Sequence, residues 1–159
     1  MCNSLHKPVG GVLRVLLHAA DTLEGVEFMP SGCRAYFSDS GVEVLLKDDC
    51  STYVEERRVL DGRIAVEHRL HLVARRNEAD EWLDEAFAQG AVREGLMAEV
   101  WLNDGRALLV GYSQYMTSEQ PLRLDTLSST SGATLREEPL VTLDLKSTDT
   151  SISTPLSNI

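Results

Sequence analysis

Residues 63–75 read Arg-Ile-Ala-Val-Glu-His-Arg-Leu-His-Leu-Val-Ala-Arg, and this stretch decides the fold. Side chains of one face alternate with those of the other, and the mostly apolar face consists of Ile64, Val66, His68, Leu70, Leu72 and Ala74. A period of two with a single apolar face predicts a half-buried antiparallel strand. Such a strand would span roughly 40 Å, about twice the usual length. We therefore expect part of it to extend beyond the core or to bend at a bulge.

A helix is predicted directly after this strand, over residues 77–89. Asn77 can cap its first turn, and Gly90 is a suitable stop. Apolar residues at helical spacing share one face, which should pack on the sheet. We expect the core to be anchored by large side chains from this helix and from the strands: Trp82, Leu83, Phe87, Leu70, Leu72, Val100 and Leu143.

A hairpin follows the helix. Its strands are predicted at residues 96–102 and 106–113, and Asn103-Asp104-Gly105 joins them. Asp-Gly suits a tight turn because glycine readily adopts positive φ. We expect Gly105 to have positive φ.

Further alternating segments occur before and after this central part, at residues 12–19, 33–37, 42–47, 51–59, 122–127 and 140–146. The total is eight or nine strands and one helix. This count predicts an α+β, mainly β fold, an antiparallel sandwich or barrel with one flanking helix. We interpret residues 1–159 as a single domain with an N-terminal arm (1–11), a β-rich core (12–146) and an extended C-terminal tail (147–159).

Composition excludes several functional classes. The net charge of −10 argues against broad affinity for nucleic acid, which requires a basic surface. No apolar run is long enough to span a bilayer, and no signal peptide is evident, so synthesis in the cytoplasm is expected. The odd number of cysteines, Cys2, Cys33 and Cys50, argues against a disulfide scaffold and favours unpaired thiols.

The sequence contains no pattern typical of an enzyme. His68 and His71 point to opposite faces of the predicted strand and cannot share a metal. No Cys-x-x-Cys pair, phosphate-binding loop or nucleophile elbow occurs. The carboxylates of the predicted helix are best interpreted as a solvated face. We therefore expect no enzyme activity and no catalytic, metal-binding or cofactor-binding residue.

The order of elements resembles the tail tube proteins of long-tailed bacteriophages and related prophage structural proteins. The matching stretches lie between residues 60 and 156. They are the strand 63–75 with the following Asn77-Glu-Ala-Asp-Glu-Trp-Leu-Asp-Glu-Ala-Phe87, the turn Asn103-Asp-Gly105, Val110-Gly-Tyr-Ser113, and the closing run 140–156.

The resemblance implies a small β-sandwich with projecting hairpins and terminal arms. It implies a ring-forming subunit, often a hexamer, stacked into a tube that conducts DNA without binding it specifically. Its partners would be further copies and other phage tail proteins, with no membrane involved. Its location would be the host cytoplasm during assembly and then the virion tail. A tail terminator, a head–tail connector and a small soluble β-barrel binding module are the alternatives.

For assembly, we hypothesise that residues 42–61 form a hairpin that reaches a neighbouring subunit. This segment is too charged for one core and too apolar for a solvated loop. The expected interface residues are Val44, Leu46, Tyr53, Val54, Arg57 and Arg58. The expected acidic residues facing a channel are Glu43, Asp48, Asp49, Glu55 and Glu56. An exposed hairpin that contacts only its own chain is the alternative.

Overall fold

The computed structural model describes residues 11–47, 50–114, 118–131, 138–149 and 151–157. The N-terminal half forms β1 (Val12–Ala19), a 3₁₀ turn (Ala20–Thr22), β2 (Leu23–Met29), β3 (Gly32–Phe37), β4 (Val42–Val44), β5 (Thr52–Leu60) and β6 (Arg63–Arg75). The C-terminal half forms α1 (Arg76–Ala79), α2 (Glu85–Arg93), β7 (Leu96–Leu102), β8 (Ala107–Val110), β9 (Tyr112–Ser113), β10 (Ser118–Glu119), β11 (Arg123–Thr130), β12 (Leu140–Asp149) and β13 (Thr154–Pro155).

Two antiparallel sheets pack face to face. The first has the order β13-β8-β7-β1-β4, and the second has the order β11-β12-β6-β5. Between them lies one core of buried apolar side chains, including Val15, Leu17, Leu70, Leu72, Val100, Leu143 and Leu145. Two short bridges, Leu46–Ala74 and Leu96–Leu122, link the sheets at their corners. The predicted α+β, mainly β fold is confirmed.

Strand β6 has the predicted bounds. It pairs with β12 from Arg75 to Val66 and with β5 from His71 to Arg63. Both ladders run without a shift in register. The strand therefore extends beyond its neighbour β12 and does not bend at a bulge.

The prediction that residues 42–61 form one hairpin is wrong. Strand β4 pairs with β1 in the five-stranded sheet, whereas β5 pairs with β6 in the four-stranded sheet. The chain crosses from one sheet to the other here. Val44 is part of the core between the sheets, and Leu46 packs against that core. The projecting hairpin is instead β5–β6, closed at Asp61 and Gly62, both of which have positive φ.

The single helix predicted at 77–89 is also corrected, because the structure has two. The side chain of Asp84, not that of Asn77, caps the longer helix: its Oδ1 accepts a hydrogen bond from the Phe87 amide at 2.7 Å. Gly90 lies inside α2 and does not end it. Trp82 lies between the helices with its ring 5.1 Å from that of Phe87, and both side chains are half-buried at the edge of the core.

The β7–β8 hairpin agrees with prediction at its turn, where Gly105 has a φ of 94°. Its second strand is shorter than predicted. Strand β8 ends at Val110, and Gly111 follows with a φ of 107°. A Cβ atom at Gly111 would lie 3.2 Å from the Leu96 carbonyl oxygen. Tyr112 and Ser113 then pair with β10 in a separate two-stranded sheet.

The C-terminal segment is not the unpacked tail predicted for 147–159. Strand β12 continues to Asp149, and β13 adds to the edge of the five-stranded sheet beside β8. Ser153 and Thr154 are buried. The predicted N-terminal arm lies outside the described residues, apart from Gly11.

The β2–β3 hairpin covers the outer face of the five-stranded sheet around Cys33, Met97 and Leu109. Under it, the ring of His18 stacks on that of Phe37 at 3.7 Å. The imidazole Nδ1 lies 3.3 Å from Asp39 Oδ1, and Nε2 lies 3.9 Å from Glu99 Oε2.

Candidate assembly surface

The end of the β5–β6 hairpin projects from the sandwich. We call residues 57–64 the hairpin tip. The last pair between β6 and β12 is Val66–Asp149, whereas the pairing of β6 with β5 continues to Arg63. The hairpin therefore extends past β12 by three residues, roughly 10 Å.

The hairpin tip exposes apolar side chains. Val59 is 76% exposed, and Leu60 and Ile64 are each 57% exposed. Val59 and Ile64 are cross-strand partners on the face that forms the core further along the hairpin. Single exposed apolar residues are ordinary, whereas adjacent ones at the end of a projecting element form a candidate binding surface.

Arginines surround this apolar patch. Arg57 and Arg63 have no ion-pair partner among the residues that the structure describes. Arg58 belongs to a group of four charged side chains on the outer face of the hairpin. Its Nε lies 3.0 Å from Glu56 Oε1, while Arg69 contacts Glu67 at 2.8 Å and Glu56 at 3.4 Å. The hydrogen bond from Arg69 is the main cause that lowers the pKa of Glu67.

The structure separates the predicted interface residues. Val44 is buried in the core, and Leu46 and Tyr53 pack against the core from its edge. Val54 is exposed on the outer face of β5, and Arg57 and Arg58 lie in the hairpin tip. These last three are exposed, whereas Leu46 and Tyr53 are half-buried.

The predicted acidic residues do not share a face. Glu43 lies on the five-stranded sheet, where it accepts a hydrogen bond from Arg14 at 2.7 Å. Glu55 points to the inner face of β5 and Glu56 to its outer face, while Asp48 and Asp49 lie outside the described residues. The three placed acids therefore do not line one surface.

Sequence reasoning missed Val59, Leu60 and Ile64. The signal that could have found them is the length of β6, because a strand twice the usual length must leave part of its apolar face without a partner sheet. The alternating pattern placed Ile64 on the mostly apolar face of the strand but did not indicate that this end is the part beyond the core.

A polar network anchors the hairpin to the C-terminal segment. His68 is buried, and its Nε2 donates to the Ser151 carbonyl at 3.1 Å, so Nδ1 can accept from the Tyr53 hydroxyl at 2.7 Å. Glu55 accepts from the Ser153 amide at 2.7 Å. Burial is the main cause that raises the pKa of Tyr53. These bonds attach the first half of β5 to the C-terminal segment and so fix the base from which the hairpin tip projects.

Beside this network lies a cavity of about 500 Å³, which we call the seam pocket. It opens between the two sheets, where β5 faces the β7–β8 turn and the segment 152–156. Its apolar lining includes Leu102, Leu108, Ile152, Pro155 and Leu156, and its polar lining includes Tyr53, Glu55 and Arg106.

Within the described ranges, no three histidine, cysteine or acidic side chains are grouped so that they could hold a metal ion. The helices that the structure describes are too short or too polar to cross a membrane. Comparisons with protein-family models, curated proteins and solved structures gave no significant match.

Proposed function

We propose that this chain is a structural subunit of a bacteriophage tail, which assembles with copies of itself into stacked rings that form a tube for DNA. The observation that carries the proposal is the hairpin tip, with exposed Val59, Leu60 and Ile64 on a projecting hairpin. Its burial against another copy would remove this apolar surface from water.

The edges of the four-stranded sheet support a ring. Strand β5 forms one edge and β11 the other, and the antiparallel order of the sheet makes these two strands run in opposite directions. Copies related by rotation could therefore join β5 of one subunit to β11 of the next as antiparallel neighbours. Exposed edge strands are a liability in a monomer but natural where a neighbour pairs with them.

The charge is compatible with a DNA conduit. A net charge of −10 per copy repels phosphate, so DNA would pass through without binding. Tail terminator and head–tail connector roles require the same kind of self-association and remain alternatives within this class.

A second candidate function, a small ligand-binding module, is favoured by the seam pocket. Its volume of about 500 Å³ lies within the range of small-molecule sites. Binding of a small molecule by a stable monomer would favour this function over assembly.

Electron microscopy of the purified protein tests the proposal. We expect rings or tubes from the wild-type chain and their loss from the double variant Val59→Ser/Ile64→Ser. The matched control is Leu13→Ser/Val92→Ser, which replaces two apolar residues that are 65% and 54% exposed outside the hairpin. Circular dichroism would verify that all variants fold. A wild-type protein that stays monomeric at high concentration would refute the proposal.

A further inference from the structure

We propose that the seam pocket of one copy receives the hairpin tip of the next copy, so that copies associate head to tail along the direction of β5. This inference rests on the self-assembly proposed above and identifies the surface that receives the tip. The occupant is a second copy of this chain.

The two surfaces lie at different ends of the same strand. Tyr53 and Glu55, which line the seam pocket, are in the first half of β5, and Val59 is near its last residue. Six residues separate Tyr53 from Val59, which is roughly 20 Å along a strand. A rigid strand cannot bring its own end back to the pocket, so the tip can fill only the pocket of another molecule.

Each copy therefore offers one tip and one pocket. A contact between two different surfaces is heterologous, and it continues from copy to copy until rotation closes a ring or an open filament forms. This is the type of contact that a stacked assembly requires. Two copies that exchanged tips about a two-fold axis would instead stop at a dimer.

The apolar parts of the two surfaces match. The seam pocket is lined by Leu102, Leu108, Ile152, Pro155 and Leu156. Ile152 is 44% exposed in the single chain, so contact with a second copy could bury it further. Val59 and Ile64, side by side on one face of the tip, supply apolar side chains of the kind that this lining can bury.

The charges match as well. Glu55 lies in the wall of the pocket with its side chain 24% exposed, while Arg57 and Arg63 flank the incoming apolar pair. Arg106, the basic residue of the lining, already pairs at 2.9 Å with Asp104 outside the pocket, so Glu55 is the charge of the lining that an incoming arginine can meet. A basic, apolar tip could also suit nucleic acid or an anionic membrane, but the net charge of −10 on the chain that carries it opposes both.

Cross-linking between engineered cysteines tests the contact. In a background with Cys2 and Cys50 changed to serine, one protein carries Val59→Cys and a second carries Ile152→Cys. The two are mixed and treated with a short bismaleimide, and products are separated on a denaturing gel. The matched control pairs Val59→Cys with Val92→Cys, which is similarly exposed but lies on α2. We expect about tenfold more cross-linked product with Ile152→Cys, because assembly raises the effective concentration of the two positions.

A single chain that carries both Val59→Cys and Ile152→Cys tests the head-to-tail order. We expect a ladder of covalent trimers, tetramers and longer products, whereas an exchange about a two-fold axis would give dimers alone and overturn the inference. Electron microscopy of the same samples separates the two proposals. Rings or tubes without preferential cross-linking to Ile152→Cys would overturn the tip-and-pocket contact and leave self-assembly standing. Absence of both assemblies and cross-links would overturn both.

Discussion

His18 joins two parts of the molecule through one buried ring. It belongs to β1, stacks on Phe37 of the β2–β3 hairpin, and faces the carboxylates of Asp39 and Glu99. Burial by itself lowers the pKa of His18, but the carboxylates of Glu99, 3.9 Å from Nε2, and Asp39, 3.3 Å from Nδ1, together outweigh it and raise the pKa above its ordinary value of 6.5. The ring is therefore protonated more readily in the folded chain than in the unfolded chain.

This shift has a defined effect on stability. A group whose pKa is higher in the folded state stabilises the fold fully below its unfolded pKa, and it loses this contribution as the pH rises through the folded pKa. We expect the free energy of unfolding to fall as the pH rises from 6.5 through the raised pKa of His18. Urea denaturation across this range measures the effect. His18→Phe keeps a ring against Phe37 but cannot titrate, and an unchanged pH dependence in this variant would contradict the prediction.

Burial distinguishes the true core anchors from those expected by size. Leu72 is fully buried, whereas Trp82 is half-buried at the edge of the core. Leu72→Ala should therefore lower the free energy of unfolding by about 2–5 kcal/mol, the range for a leucine removed from a packed interior. Trp82→Ala should lower it by less, although its side chain is larger. Chemical denaturation of both variants measures the difference, and the reverse order would show that Trp82 is the stronger anchor.

Among the elements, β6 could be predicted to the residue because its signal is local. Alternation over residues 63–75 depends only on which side chains face the core. The placement of β4 and β5 could not be predicted in this way. Neither strand has a sequence feature that identifies the sheet to which it belongs. Their partners β1 and β6 are separated from each other by more than forty positions of sequence. Which sheet a strand joins is decided by packing between distant residues.

The prediction for the helical region was wrong for a different reason. Asn77 and Asp84 are both good caps by residue type, and only the geometry shows that Asp84 is used. Asp84→Ala should cost about 1 kcal/mol of stability because the Phe87 amide loses its acceptor. Asn77→Ala is the matched control and should change the stability little. Equal losses for the two variants would mean that the cap at Asp84 contributes no specific stability.

For the whole molecule, the candidate assembly surface was only partly predictable. Arg57, Arg58 and Val54 were expected at an interface and are exposed, but the acidic residues predicted to face a channel are distributed over different faces. Residue type indicates that a segment is too apolar for solvent, yet the face on which each side chain lies depends on the register of β5 against β6. That register is set by the turn at Asp61 and Gly62 and by the core.

Net charge should control assembly of the whole molecule. Each copy carries −10, so copies repel one another over distances that salt shortens to about 8 Å at physiological ionic strength. We expect more assembled protein when salt is raised from about 10 mM to about 150 mM, since apolar contacts at the hairpin tip are then less opposed by repulsion. Light scattering at fixed protein concentration measures this. Assembly that weakens over this range would show that ion pairs, not apolar contacts, dominate the interface.

The position of β13 has a consequence for the newly made chain. Strand β13 closes the edge of the five-stranded sheet beside β8, and the same segment supplies Ile152, Pro155 and Leu156 to the seam pocket. A chain emerging from the ribosome with residues beyond 150 still inside the exit tunnel has neither feature. Its hairpin tip, made some ninety residues earlier, therefore precedes its own pocket during translation. If copies associate through the proposed contact, a nascent chain could dock its tip on a finished subunit but could not yet receive one, and subunits would join in the order of their synthesis.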